Sequence, residues 1–177
     1  MSVPDPDHLL DQADRLIAST GGGTARQVDL RRAISSAYYA LFHAVVTEAT
    51  DDFVGRTHRQ TPRYMLVYRS VGHKSLRRLC EDIVKENLPS RYSRFAPEGG
   101  FGPDLQFFAN TLVELQDRRH LADYDPLLRA TRSTAVLTVQ RSRDALERLR
   151  DSNRTLRRAL LTLVIFPPRQ VHQDQET

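Results

Sequence analysis

The stretch Thr24–Thr50, TARQVDLRRAISSAYYALFHAVVTEAT, decides the fold. Thr24 followed three residues later by Gln27 predicts a capping box, because the hydroxyl and the amide each satisfy a backbone group left unpaired at a helix start. From there, at about 100° per residue, Leu30, Ala33, Ile34, Ala37, Tyr38, Ala40, Leu41, Phe42, Ala44 and Val45 cover more than half of the circumference. So wide an apolar arc belongs to a helix surrounded by others. The remaining sector holds Arg32, Ser36, Tyr39 and His43, spaced by three or four and stacked within roughly 60°. The expectation is a mostly buried helix that carries one polar line.

Working outward, Asp5 or Asp7 caps a first helix whose stripe is Leu9, Leu10, Ala13, Leu16 and Ile17, and Gly21–Gly23 ends it. Beyond the central helix, the polar run from Asp51 to Gln60, with Gly55 inside, reads as a connection. Thr61-Pro62 supplies an N-cap and a proline at the first helical position. The helix it opens carries Met65, Tyr68, Leu76, Leu79 and Ile83, with a kink or short break at Gly72-His73. Three prolines and three glycines make Asn87–Pro103 a loop. Its Arg91, Tyr92, Arg94 and Phe95 fit either an ordinary mobile surface loop or a grip on a base. Asp104 caps a fourth helix with Leu105, Phe108, Leu112 and Leu115 inward, closed by Tyr124-Asp125-Pro126. A last helix is predicted over Ser133–Leu163. No alternating strand pattern occurs.

The chain has 177 residues, 40% of them hydrophobic, which is enough for one ordinary core. The expected architecture is an all-α, up-and-down bundle of about five helices with a long C-terminal helix, one domain over 1–166. The polar tail 167–177 reads as disordered. The apolar run Ala159–Phe166 either packs back on the core or meets a partner chain. It is far shorter than the ~20 residues a membrane span needs, and MSVPDPDHLL lacks the basic and apolar regions of a signal peptide. A cytoplasmic protein is expected. The single cysteine, Cys80, excludes an intrachain disulfide and sits in a helical apolar context. Of the basic residues only Lys74 and Lys85 are lysines, and the net charge is +4. An arginine bias suits phosphate and bases, which arginine forks and stacks on, and base composition of a genome produces the same bias.

The fourth helix carries an anomaly. Arg119 and Asp123 fall on its apolar face, where two charges are expected to pair because an isolated buried charge is costly. Arg118 and His120 flank that face and Tyr124 follows at the turn. One reading is a structural network in which Arg119 bridges Asp123 to Ser36, Tyr39 or His43 and orients two helices. The other is an anion pocket, with arginine holding phosphate and histidine transferring protons. No metal site is expected, since His43, His58, His73 and His120 have no partner at a metal-ligand spacing. Gly21–Gly23 lacks the lysine-serine and strand context of a phosphate loop. No cofactor is implied.

Two segments carry a family likeness. RRAISSAYYALFHA resembles the signature helix of the HEPN (higher eukaryotes and prokaryotes nucleotide-binding) domains, and LQDRRHLADYDP, Leu115–Pro126, is similar to the end of the fourth helix in some bacterial HEPN-like proteins. The resemblance spans about residues 24–150. It implies a helical homodimer that binds RNA or a nucleotide, within a prokaryotic toxin–antitoxin or defence module. The implied partner is a cognate antitoxin or a nucleotidyltransferase-like protein. Many HEPN domains carry arginine, four to six residues, then histidine, and two copies across a dimer form a metal-independent ribonuclease site. This chain departs from that motif, for no arginine has a histidine at that spacing. Two hypotheses therefore stand. In the first, Arg119 and His120 cleave RNA with a 2′-hydroxyl as nucleophile, supported by Arg32, Ser36, Tyr39, His43, Arg118, Asp123 and Tyr124. In the second, the chain is a non-catalytic dimerisation or interaction module whose charged cluster is structural. Tyr124, as the tyrosine beside the motif in some HEPN toxins, is a candidate modification target. Thr57-His58 resembles a pair found after the signature helix in HEPN-like proteins.

Overall fold

The helix read from the central stretch runs from Gln27 to Val54, and its buried residues cover nearly its whole circumference. A computed structural model describes residues 3–18, 26–92 and 94–168. Among them seven α-helices follow one another: α1 Pro6–Ala18, α2 Gln27–Val54, α3 Pro62–Ser70, α4 His73–Ile83, α5 Gly102–Tyr124, α6 Arg132–Asp151 and α7 Arg154–Ile165. Two short 3-10 turns, Arg56–His58 and Ser90–Tyr92, complete them. No strand occurs among the described residues, and the fold is an all-α bundle. Helix α2 is its axis, packed by α1, α3, α5, α6 and α7. Its alanines allow close approach: the Ser142 hydroxyl on α6 donates to the Ala37 carbonyl at 2.9 Å in a site closed to water. No helix among the described residues is long and apolar enough to cross a membrane.

Local chemistry sets the helix ends. Asp5 is the cap of α1, its Oδ1 accepting from the Asp7 amide at 2.9 Å. Thr61 caps α3 as expected, accepting from the Tyr64 amide at 3.2 Å. Thr24 and Gly21–Gly23 lie outside the described residues. The Gln27 amide donates to the Ala130 carbonyl and accepts from the Ala130 amide, both at 2.9 Å. This long-range anchor ties the start of α2 to the approach of α6, because an amide side chain matches both groups of a free peptide unit.

Several boundaries differ from the sequence reading. The break expected at Gly72-His73 falls one residue earlier, at Val71-Gly72, and divides the third helix into α3 and α4. Asp104 is not the cap of α5; it lies in the first turn and meets Arg148 at 3.0 Å, while the helix starts at Gly102 with a positive φ of 75°. The single last helix breaks at Ser152-Asn153. Asn153 caps α7, its Oδ1 accepting from the amides of Thr155 at 2.9 Å and Leu156 at 3.3 Å, and Arg157 donates back to the carbonyls of Leu149 and Arg150. The predicted long C-terminal helix is thereby replaced by a corner. Leu160, Leu161, Leu163 and Val164 are buried, so the apolar end packs back on the core. Of the polar tail, residues 169–177 lie outside the described residues.

Candidate functional site between α2 and α5

The polar line of α2 that faces α5 advances by four residues at a time. Arg31, Ser35, Tyr39 and His43 each meet a polar partner on a neighbouring element. Steps of four drift only about 40° around the helix, and such rows are the ridges along which helices pack. Arg31 donates to the carbonyls of Ala122 and Asp125, both at 2.7 Å, and so satisfies the C-terminal end of α5. The Ser35 hydroxyl donates to Asp123 Oδ1 at 2.5 Å. Tyr39 accepts from Arg119 Nη1 at 3.2 Å. His43 Nδ1 shares a hydrogen bond of 2.5 Å with the Tyr68 hydroxyl on α3. Of the four residues expected on this line, Tyr39 and His43 belong to it. Arg32 is exposed and Ser36 is buried, and no hydrogen bond joins either to α5.

Arg119 does point into the bundle, its side chain only 16% exposed, and Asp123 is beside it. Asp123 is, however, an exposed residue at the rim and not a second charge inside, because it sits a full turn nearer the open end of α5. The pairing is loose, at 3.4 Å, and Asp123 already accepts from Ser35. The guanidinium lies 5.5, 5.8 and 5.9 Å from the ring centres of Tyr38, Tyr39 and Tyr124. Its buried Nε has no partner among the described residues. Burial pulls the guanidinium's pKa down, but the Tyr39 hydroxyl and the Asp123 charge outweigh it and hold the group above its ordinary value. The charge is therefore permanent, positioned by aromatic faces, and its donors are not fully spent.

Two histidines belong to the same cluster. His73, the first residue of α4, shares a 2.7 Å hydrogen bond between its Nδ1 and the Tyr38 hydroxyl, and its ring is 3.9 Å from that of Phe42. His43 stacks between Tyr39 and Tyr68, each with its centre 6.1 Å away. Burial lowers both imidazole pKa values; His73 further lowers that of His43, and Arg119 lowers that of His73. Both rings are thus neutral at neutral pH. Burial also raises the Tyr38 phenol far above its usual range, so it stays a hydroxyl.

The other expected residues lie apart. His120 is exposed, with its ring 5.0 Å from that of Tyr124, itself 67% exposed. One residue along a helix turns the side chain by about 100°, so Arg119 and His120 cannot share the inward face. Arg118 is occupied elsewhere, by Glu114 at 2.8 Å and the Thr138 hydroxyl of α6 at 3.1 Å. His58 is exposed on the turn after α2. The loop residues Arg91 and Tyr92 are anchored on Asp82, Tyr92 at 3.1 Å, which leaves only Arg94 and Phe95 exposed from that set. No group of three or more His, Cys, Asp or Glu side chains able to hold a metal occurs among the described residues.

Sequence reasoning missed Arg31, Ser35, Tyr38, Tyr68 and His73. A strict spacing of four from Tyr39 back through Ser35 to Arg31 would have found two of them. His73 follows a helix break and carries no periodic signal.

The assembled group offers one fixed cation with free donors, two neutral imidazoles and stacked rings, chemistry that suits a phosphate attached to a base. Comparison with family models, with curated proteins and with solved structures finds no match for the chain.

Proposed function

We propose that the chain is a HEPN-like protein that binds RNA or a nucleotide, with Arg119 as the phosphate contact and the rings of Tyr39 and Tyr124 as stacking faces. The observation that carries this reading is the state of Arg119. Arg31, on the same helix pair, spends its donors on two carbonyls at 2.7 Å. Arg119 keeps a buried Nε without a partner and makes side-chain bonds of only 3.2 and 3.4 Å. Exposed Leu121, Tyr124 and Leu127 at the same end of α5 are consistent with a homodimer in which two such sites approach each other.

Binding is better supported than cleavage. A proton-transfer group must reach the scissile phosphate, and His120 is turned away while His73 shares Tyr38 with Arg119. If the chain cleaves RNA, His73 is the residue in place. The test is fluorescence anisotropy with labelled single-stranded RNA, and with adenosine monophosphate as competitor, in the presence of chelator. Arg119→Gln is expected to weaken binding at least tenfold and Arg32→Gln to leave it unchanged. Absence of binding to both probes, or equal binding by Arg119→Gln, overturns the reading.

A further inference from the structure

A groove of about 790 Å³ lies on the other side of α2 from α5, between the C-terminal half of α2, the segment 56–59, the N-terminal residues 3–6 and the first turns of α7. Six guanidinium groups line it: Arg56, Arg59, Arg150, Arg154, Arg157 and Arg158. Against them stand four carboxylates, Asp5, Glu48, Asp51 and Asp52, which leaves 6 − 4 = 2 positive charges in excess. Burial also raises the pKa of Glu48, so its charge is the least secure of the four.

The arginines divide by how fully they are used. Arg59 is committed to Asp51 through both Nε and Nη2, and Arg157 to the carbonyls that end α6. Arg150 donates to Asp7 at 2.9 Å. Three remain open. The side chain of Arg154 is exposed and has no partner among the described residues. Arg56 reaches Asp51 only at 3.8 Å and is 79% exposed. Arg158 places its Nε between both oxygens of Asp52, at 3.1 Å each, and leaves its terminal nitrogens without a partner among the described residues.

Like charges gathered in one concavity repel, and arginine's planar fork matches phosphate oxygens two at a time. The volume falls within the range of small-molecule sites, roughly 300–1,000 Å³. We infer that this groove is a second binding site, independent of the α2–α5 cluster, for a compact ligand carrying a diphosphate group, held by Arg56, Arg154 and Arg158. The two positive charges in excess offset most of the roughly threefold negative charge of a terminal diphosphate, and the open nitrogens of Arg56, Arg154 and Arg158 supply the donors for its oxygens. Orthophosphate can engage fewer of them at once.

The test is isothermal titration calorimetry of the full chain with inorganic pyrophosphate, adenosine diphosphate, orthophosphate and a single-stranded RNA at fixed ionic strength. Pyrophosphate and adenosine diphosphate are expected to bind at least tenfold more tightly than orthophosphate. Arg154→Glu is expected to weaken them at least tenfold, and Arg119→Gln to leave them unchanged. Circular dichroism checks that Arg154→Glu is folded; Arg56→Gln, also at an exposed position, replaces it if it is not. Equal affinity for orthophosphate overturns the inference, as does binding that survives both variants. Loss through Arg119→Gln would place the ligand in the other cluster. Binding of RNA alone, abolished by Arg154→Glu, would assign the groove to a nucleic-acid backbone instead.

Discussion

Arg119 reaches from α5 to the hydroxyl of Tyr39 on α2, at 3.2 Å, and this is its shortest hydrogen bond. Its ion pair with Asp123 is longer, and Asp123 has a second support in Ser35. Removing the guanidinium therefore does not abandon a buried carboxylate. We expect Arg119→Gln to cost about 2 kcal/mol, for the loss of one long hydrogen bond from a charged donor and a ring contact. Urea unfolding measures it. A loss above about 3 kcal/mol, the range for breaking a buried pair, would show instead that the cluster exists to hold the helices together.

Arg31 and Arg32 are neighbours with opposite tasks. Arg31 spends its donors on the carbonyls of Ala122 and Asp125, closing the end of α5 against α2. Arg32 is exposed. Arg31→Ala is expected to destabilise by about 2 kcal/mol or more, since charged hydrogen bonds contribute most and two carbonyls lose their partner. Arg32→Ala should stay within about 0.5 kcal/mol. Chemical denaturation of the two variants side by side decides it, and equal losses would contradict the assignment.

This pair also shows where the sequence was legible. The apolar arc of α2 identified the central helix because nearly every position on it is buried, so no exact phase was needed. Phase was needed for the polar line, and there the reading slipped by one residue, taking Arg32 and Ser36 where Arg31 and Ser35 face α5. A serine beside a serine and an arginine beside an arginine give periodicity nothing to choose between. Arg119 and Asp123 were found because charges on an apolar face stand out. His73 was hidden, since it is brought to Tyr38 by the break between α3 and α4 and not by any spacing along one helix. The corner at Asn153 was missed for a related reason. Leucines continue at helical spacing on both sides of it, and only the capping geometry marks the stop.

That corner gives a prediction of its own. The Asn153 carboxamide satisfies two amides at the start of α7, and the turn it forms directs the buried leucines of α7 onto the core. Asn153→Ala is expected to cost about 0.5–2 kcal/mol, the usual range for a lost cap, while Asn153→Asp should retain most of the stability. Thermal melting of the two variants tests this. If alanine is as stable as asparagine, packing of the leucines alone sets the corner.

The two neutral histidines make stability depend on acidity. The folded chain holds the pKa values of His43 and His73 below the ordinary imidazole value of 6.5, so the unfolded chain binds protons more readily in that range. Stability from these groups is complete above pH 6.5 and is lost as pH falls from there through the lowered folded values. The melting temperature should thus drop between pH 7 and pH 5, beyond any change that carboxylates cause at lower pH. His73→Phe removes one titrating ring while keeping an aromatic against Phe42, and should flatten the dependence even if it lowers stability at pH 7 by breaking the bond to Tyr38. A His73→Phe profile as steep as that of the parent would show that neither burial nor the nearby Arg119 charge acts on this imidazole.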